Sequence, residues 1–357
     1  MKIKRVHAYL KNLALRKPYR IAGYTFSAVE NVFLEIELEH GITGIGAASP
    51  AEEVVGETCQ GTYSRLQETC FEELVGRDIR DYRTLIQEKS AQFSGFPGTQ
   101  AVLDIALHDA LGQWMGVPVV ELYGQKVQAL PTSVTIGIMP MEEMIREAAE
   151  FQKLGFKVLK VKTGEDVAED IERLTALKTH FNHYFKIRVD ANQGYDTKAL
   201  HTFLQATKSL DIELVEQPLP VGQEVALLDF GAADRKKFAA DESLTSAAMA
   251  CKLALAPQPF GIFNIKLMKC GGILNALDIA RTAENADIDL FWGCNDESIV
   301  SIAAALHAAF ACPNTQYLDL DGSFDLVEDV VSGGFVLENG FLRLNGKPGL
   351  GVQPLNR

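Results

Sequence analysis

Along the second half of the chain, charged residues recur at near-constant intervals: Lys160 and Lys162, Asp190, Glu216, Asp241, Lys266 and Asp319. Singly, each has a bland reading, because an acid closing a strand commonly caps the next helix and a lysine there commonly sits solvated on a rim. Seven in succession point to chemistry. Three carboxylates with no histidine among them suit a hard, oxygen-preferring cation such as Mg²⁺, which leaves positions open for water and substrate, and disfavour Zn²⁺. Two amines suit proton transfer. A free lysine, with a pKa of about 10.4, is a poor base at neutral pH and has to be brought down by burial or by a neighbouring positive charge.

These residues lie at or near the ends of short runs rich in β-branched residues, at 133–136, 158–162, 187–190, 214–216, 238–241, 262–266, 289–292 and 317–319, with room for one helix between runs. The repeat is 25 to 28 residues long. Eight even strand-plus-helix units, with no Gly-x-Gly-x-x-Gly after the first strand, predict an α/β fold whose parallel sheet closes on itself, a (β/α)8-type (modified TIM) barrel rather than an open doubly wound sheet. Reactive groups in such a barrel stand at the C-terminal ends of the strands. Strands three, four and five are neighbours, so Asp190, Glu216 and Asp241 can converge on one cation. Strands two and six lie four places apart, which sets Lys162 and Lys266 on opposite sides of the metal-bearing arc. Two amines so placed can take a proton from one face of a carbon and return one to the other, the geometry of epimerisation or racemisation. A substrate carboxylate on Mg²⁺ would accept the charge left by its α-proton, as an enediolate. Lys160 shares a strand face with Lys162 and supplies either a positive neighbour or a partner for a metal-binding carboxylate.

The first part of the chain reads as an α+β capping domain, residues 1–127: an opening strand, a hairpin over 32–48 turning at His40-Gly41, then three helical stretches between residues 58 and 116. The barrel follows over 128–325, and a C-terminal segment, 326–357, carries a further hairpin signal around Asn339-Gly340 and is expected to return to the cap. With 357 residues, 47% hydrophobic and 23% charged, the chain can build a sizeable core. A net charge of −13 argues against nucleic acid or anionic membranes as partners. Six cysteines without C-x-x-C spacing read as reduced thiols of a cytoplasmic protein, and no apolar stretch at the start has signal-peptide length. Residues 299–312, the most apolar run, are too short to span a bilayer. His108 reads as a satisfied core histidine, and Cys270 and Cys294, near the mouth, lack a histidine partner for thiol catalysis.

The segments Lys160-Val-Lys162, Asp190-Ala-Asn192, Glu216-Gln-Pro218, Ala240-Asp-Glu242-Ser and Asn264-Ile-Lys266 resemble, in order and spacing, the muconate-lactonising branch of the enolase superfamily, over the whole chain. The resemblance implies Mg²⁺ on Asp190, Glu216 and Asp241, Lys162 and Lys266 as the acid/base pair, and Asn192 and Asn264 in support. Asp319-Leu-Asp321 looks like the Asp-x-Asp pair by which dipeptide epimerases hold the substrate's ammonium, and Thr135 resembles a substrate-pocket position in these enzymes. Strand eight faces strand four across the ring, so a molecule bridging the two needs a positive end, a carboxylate and an acidic C–H midway. A dipeptide has all three. The implied reaction is Mg²⁺-dependent conversion of L-Xaa-L-Xaa to L-Xaa-D-Xaa dipeptides, an isomerase acting on a small-molecule substrate, with a homo-oligomer left open.

Lid loops at 16–27 and 49–57, with Asn295, Asp296, Glu297 and Ser298 after strand seven, are expected to cover the pocket. Asp296 and Ser298 would contact substrate alongside Lys160, and Glu52, Glu53 and Asp296 would favour a basic side chain, a pattern resembling epimerases for cationic dipeptides. The alternatives are a cycloisomerase, an o-succinylbenzoate synthase or an N-acylamino acid racemase of the same branch, whose substrates lack an ammonium, and more remotely a metal-free Schiff-base aldolase.

Overall fold

The computed structural model describes residues 1–21, 24–69 and 71–355, so Cys70 lies outside the described residues. Three strands, Ile3–Ile21, Tyr24–Leu38 and Thr43–Ala48, form an antiparallel sheet in chain order. The expected turn is a 3₁₀ turn, Glu39–Gly41, and Val32 pairs with Ala48 across it. The helix Pro97–Met115 lies on the sheet, buried along most of its length. Its backbone comes unusually close: a Cβ at Gly44 would lie 2.3 Å from Ala110 N, and one at Gly46 would lie 2.0 Å from Val102 O. Glycines two apart on one sheet face are what admit the helix.

Residues 16–27 depart from the expected lid loop. The broken alternation around Pro18 conceals a ladder in which Tyr19 pairs with Phe26, Arg20 with Thr25 and Ile21 with Tyr24, past a register irregularity between Ala14 and Tyr19. Continued pairing satisfies backbone groups that a loop would leave to water. Residues 22 and 23 lie outside the described residues.

The eight predicted strands form one parallel sheet in sequence order: Ser133–Ile136, Val158–Lys162, Lys186–Asp190, Ile212–Glu216, Phe238–Ala240, Ile262–Ile265, Asp289–Trp292 and Thr315–Leu318. The ring closes through a parallel bridge between Thr132 and Leu318 and through the Leu320 N–H, which donates to Thr132 Oγ1 at 2.9 Å. Side-chain caps set where the intervening helices begin: Asp166 for Val167–His180, Asp196 for Thr197–Ala206 and Ser298 for Ile299–Phe310. Leu214, Ala239, Ile262 and Phe291, with Tyr317 packed against them, fill part of the barrel interior as a dry floor. No described helix is long and apolar enough to cross a membrane.

Cap and barrel are tied by buried acids. Asp104 accepts the N–H groups of Ile273 and Leu274 at 2.8 and 3.1 Å, capping the barrel helix Ile273–Asn285 from the cap helix. The tail hairpin, Phe335–Glu338 with Phe341–Leu344, pairs with Leu130–Pro131 at the entrance to the barrel, and the C-terminal segment reaches the cap on either side of it: the Val327 N–H donates to the Ala14 carbonyl at 2.8 Å and the Leu350 N–H donates to Asp109 at 2.7 Å.

Candidate active site

The period of two along a strand places Lys160 with Lys162, Arg188 with Asp190, and Asn264 with Lys266 on shared faces. Register then sets Lys162 beside Asp190 and Asp190 beside Glu216. Lys162 Nζ lies 2.6 Å from Asp190 Oδ2 and 2.9 Å from Asn192 Oδ1. Lys266 Nζ lies 2.9 Å from Asp241 Oδ2. Glu216, on the strand between those of the two aspartates, accepts Asn264 Nδ2 on Oε1 at 2.6 Å; its Oε2 is buried and accepts no hydrogen bond, although Lys160 Nζ stands 3.1 Å away. Lys160 is itself buried against three acids, with Nζ 2.7 Å from Asp319, 3.1 Å from Glu216 and 3.3 Å from Asp190. Its charge is committed to carboxylates, so salt-bridge partner, rather than substrate contact, is the role its surroundings give it.

Sequence reasoning missed Lys269. Buried in the short helix Leu267–Cys270, it donates to Asp241 Oδ1, to the Asp241 carbonyl at 2.5 Å and to the Asn264 carbonyl at 3.3 Å. The available signal was a second lysine three residues after Lys266, at helical spacing.

Burial raises the Glu216 pKa to about 8, helped by the charges of Asp190 and Asp241. Burial would also raise Asp190, but the ammonium groups of Lys162 and Lys160 bring it down to about 2. Asp241 is likewise held well below the carboxylate range, with Lys266 and Lys269 overcoming burial. At Lys266 burial and the charge of Lys160 work downward, the direction a lysine base needs, yet Asp241 holds the ammonium above the ordinary range.

Among the described residues, no three acid, histidine or cysteine side chains stand as a ready-made metal cage. The reason is visible in the contacts above, where lysine ammonium groups close onto the carboxylates that were expected to close onto a cation. The donor set nonetheless fits Mg²⁺: three buried carboxylates on adjacent strands, mutual repulsion at Glu216, and an Oε2 without a hydrogen bond.

At the end of strand eight, Asp319 Oδ1 accepts the Ser133 hydroxyl at 2.6 Å and Oδ2 accepts Lys160. Asp321 Oδ2 accepts the Thr135 N–H at 2.8 Å, and burial followed by the charge of Asp319 raises its pKa to about 7. Cys294 Sγ donates to the Asp319 carbonyl at 3.2 Å, and burial holds its thiol well above the usual range. His108 is a core histidine, satisfied by the Asp104 carbonyl and the Tyr123 hydroxyl.

Over the mouth, a narrow cleft is lined from the cap by Val54 and Val55 and from the barrel by Asp241, Lys266, Lys269 and Asn295. Lys162 is not part of that lining; its side chain, 31% exposed, flanks the other end of the carboxylate arc. Asn295 Nδ2 donates to the Ser49 carbonyl at 3.0 Å and ties the strand-seven loop to the cap. Two expectations are corrected here. Ser298 is fully buried, capping its helix and donating to Asp329 at 2.9 Å, so its hydroxyl is not a pocket wall. Glu52 and Glu53 are exposed, and the cap turns valines to the cleft instead. Asp296 is half-buried in the strand-seven loop.

Residues 4–124 match the family model described as mandelate racemase / muconate lactonizing enzyme, N-terminal domain, and residues 143–357 match that described as enolase C-terminal domain-like. A protein of Desulforapulum autotrophicum named L-Lys-D/L-Arg epimerase is 51% identical over 353 residues, 99% of each chain. The crystal structure of a dipeptide epimerase from Methylococcus capsulatus, complexed with Mg and the dipeptide L-Arg-D-Lys, is similar with a TM-score of 0.96 at 48% identity, covering 99% of each chain. An N-succinyl-L-Arg/Lys racemase of Bacillus cereus is 31% identical over 358 residues, 99% of this chain and 95% of that protein.

Proposed function

We propose, for a chain that belongs to the mandelate racemase / muconate lactonizing enzyme family of the enolase superfamily, that it is a Mg²⁺-dependent isomerase that epimerises dipeptides with cationic side chains, converting L-Xaa-L-Xaa to L-Xaa-D-Xaa. The observation that carries the reading is the bracket formed by Lys162 on Asp190 and Lys266 on Asp241, at the two ends of one arc of acids. The names of the Desulforapulum and Methylococcus relatives support the substrate class.

Asp190, Glu216 and Asp241 would hold Mg²⁺, which when bound supplies positive charge to the substrate carboxylate and makes the neighbouring α-proton more acidic. Lys162 and Lys266 would address that α-carbon of the C-terminal residue from opposite faces. One nitrogen, as the free amine, takes the proton; the other, as the ammonium, delivers its own to the opposite face, and the reverse reaction exchanges the roles. Asn192, bonded to Lys162, and Asn264, bonded to Glu216, would fix the angles at which these groups point. The acids at the end of strand eight, with Thr135, would receive the free ammonium. That last feature separates the reading from an N-succinylamino acid racemase, whose substrate carries its α-nitrogen as an amide and has no α-ammonium to receive.

The test is mass-spectrometric deuterium incorporation from D₂O across a dipeptide library, with Mg²⁺ and with EDTA. Label entering the C-terminal residue of Lys/Arg dipeptides, faster than that of Ala-Ala or Ala-Glu and only with the metal, is the expected result. Faster exchange of N-succinyl amino acids than of any dipeptide would overturn it.

A further inference from the structure

Resting on the reading that Asp190, Glu216 and Asp241 hold Mg²⁺, we infer that Gln217 is a positioning residue that ties the ends of the three acid-bearing strands together, and that the preference of the site for Mg²⁺ over a larger cation such as Ca²⁺ depends on it.

Gln217 directly follows Glu216 and is 1% exposed. Its backbone N–H donates to the Ala239 carbonyl on strand five at 2.8 Å, and its carbonyl accepts the N–H of Gln193, in the loop just past Asp190, also at 2.8 Å. The side chain reaches the loop after strand five. Oε1 accepts the N–H of Asp241 itself at 3.0 Å and that of Ser243 at 3.1 Å, while Nε2 donates to the Ser243 hydroxyl at 2.8 Å and to the Leu219 carbonyl at 3.0 Å. Backbone N–H groups can only donate, so the amide has one orientation, and its donor and acceptor positions are all filled. The buried Ser243 hydroxyl donates in turn to Glu224 Oε1 at 2.7 Å, which fixes the outer end of the chain.

With φ at 34°, Gln217 sits in the left-handed region, which a residue bearing a Cβ keeps only where its surroundings over-determine it. The hydrogen bonds toward strands three and five supply that constraint. The main chains at Glu216 and Asp241 are thereby locked to each other, and the loop of Asp190 joins them through Gln193. Mg²⁺ demands near-octahedral ligation at short distances and tolerates little drift in its ligands, whereas Ca²⁺ accepts a variable number of oxygens in flexible geometry. A tie that holds the three strand ends in register therefore favours Mg²⁺ in particular. A residue that only stabilised the fold would serve both cations alike.

Calorimetric titration of the metal-free protein with MgCl₂ and with CaCl₂ tests this without any dipeptide. Gln217→Met, which keeps the length of the side chain and removes its hydrogen bonds, should weaken Mg²⁺ binding about 10- to 100-fold, the range for residues that orient metal ligands, and leave Ca²⁺ binding nearly unchanged. Should Gln217→Met fail to fold, Ser243→Ala, which removes one partner of Nε2 and leaves all three carboxylates in place, is expected to shift the ratio of the two affinities in the same direction, less steeply. An equal loss for both cations, or no loss for either, would overturn the inference. A Mg²⁺ preference that collapses in Gln217→Met upholds it even in a protein that exchanges no α-proton of L-Lys-L-Arg, the result that would overturn the functional reading alone. A wild type that binds no Mg²⁺ would overturn both.

Discussion

At the joint between cap and barrel, buried acids are answered by the backbone. Asp104 takes two amide N–H groups of a barrel helix, and Asp109 takes those of Ile45 and Leu350. At the mouth, Glu216 and Asp319 take their partners from side chains, and Asp190 and Asp241 pair with the ammonium groups of lysines. A backbone donor is fixed once the fold forms, so a carboxylate it satisfies serves the structure. A side-chain ammonium can rotate away, lose its proton or yield to another cation, so a carboxylate it satisfies stays available for exchange. The difference between the regions is thus which partner can leave.

That contrast can be broken most severely at Glu216. Glu216→Gln should lower kcat/KM by at least about 100-fold, since several kcal/mol of charge stabilisation depend on the metal. Its unfolding midpoint without metal should hold or rise, because a carboxylate pushed up to about 8 is costly to keep ionised. A fall in thermal stability that tracks the loss of activity would erase the distinction. Asp104→Ala should do the reverse: unfolding in urea at a cost of about 3 kcal/mol, with KM and Mg²⁺ affinity unchanged, because two buried N–H groups lose their acceptor.

The smallest effect comes from His307, whose Nδ1 accepts the Val120 N–H at 3.0 Å where the cap ends. Burial lowers its pKa from 6.5 to about 4. The unfolded chain therefore binds the proton first, and the stability from keeping this ring neutral is full above pH 6.5 and drains away as pH falls through 4. At pH 5 about 2 kcal/mol should be gone relative to neutrality. His307→Gln should flatten that limb of the pH–stability curve, and an unchanged limb would remove His307 from the account.

The barrel was legible because each strand announces itself as a β-branched run and the repeat length leaves room for one helix per unit. The candidate site residues were legible because they sit at the ends of those runs, where a charge is out of place in a strand. What stayed hidden depends on pairing that no local pattern carries. Ser133 and Arg188 are ordinary strand residues until the ring closes and brings strand eight beside strand one. Lys269 hides one helical turn past the end of strand six. The arm at residues 16–27 misleads because Pro18 breaks the alternation although the ladder continues past it. Ser298 has the type and place of a pocket residue, and only its burial discloses the cap.

The central claim is that Lys162 and Lys266 address one α-carbon from opposite faces, and single-lysine variants with resolved diastereomers test it most directly. Lys162→Ala and Lys266→Ala should each fail to interconvert L-Lys-L-Arg and L-Lys-D-Arg. In D₂O with Mg²⁺, one variant should label only the first diastereomer and the other only the second. Labelling of both diastereomers by either variant, or of the same one by both, would contradict the account.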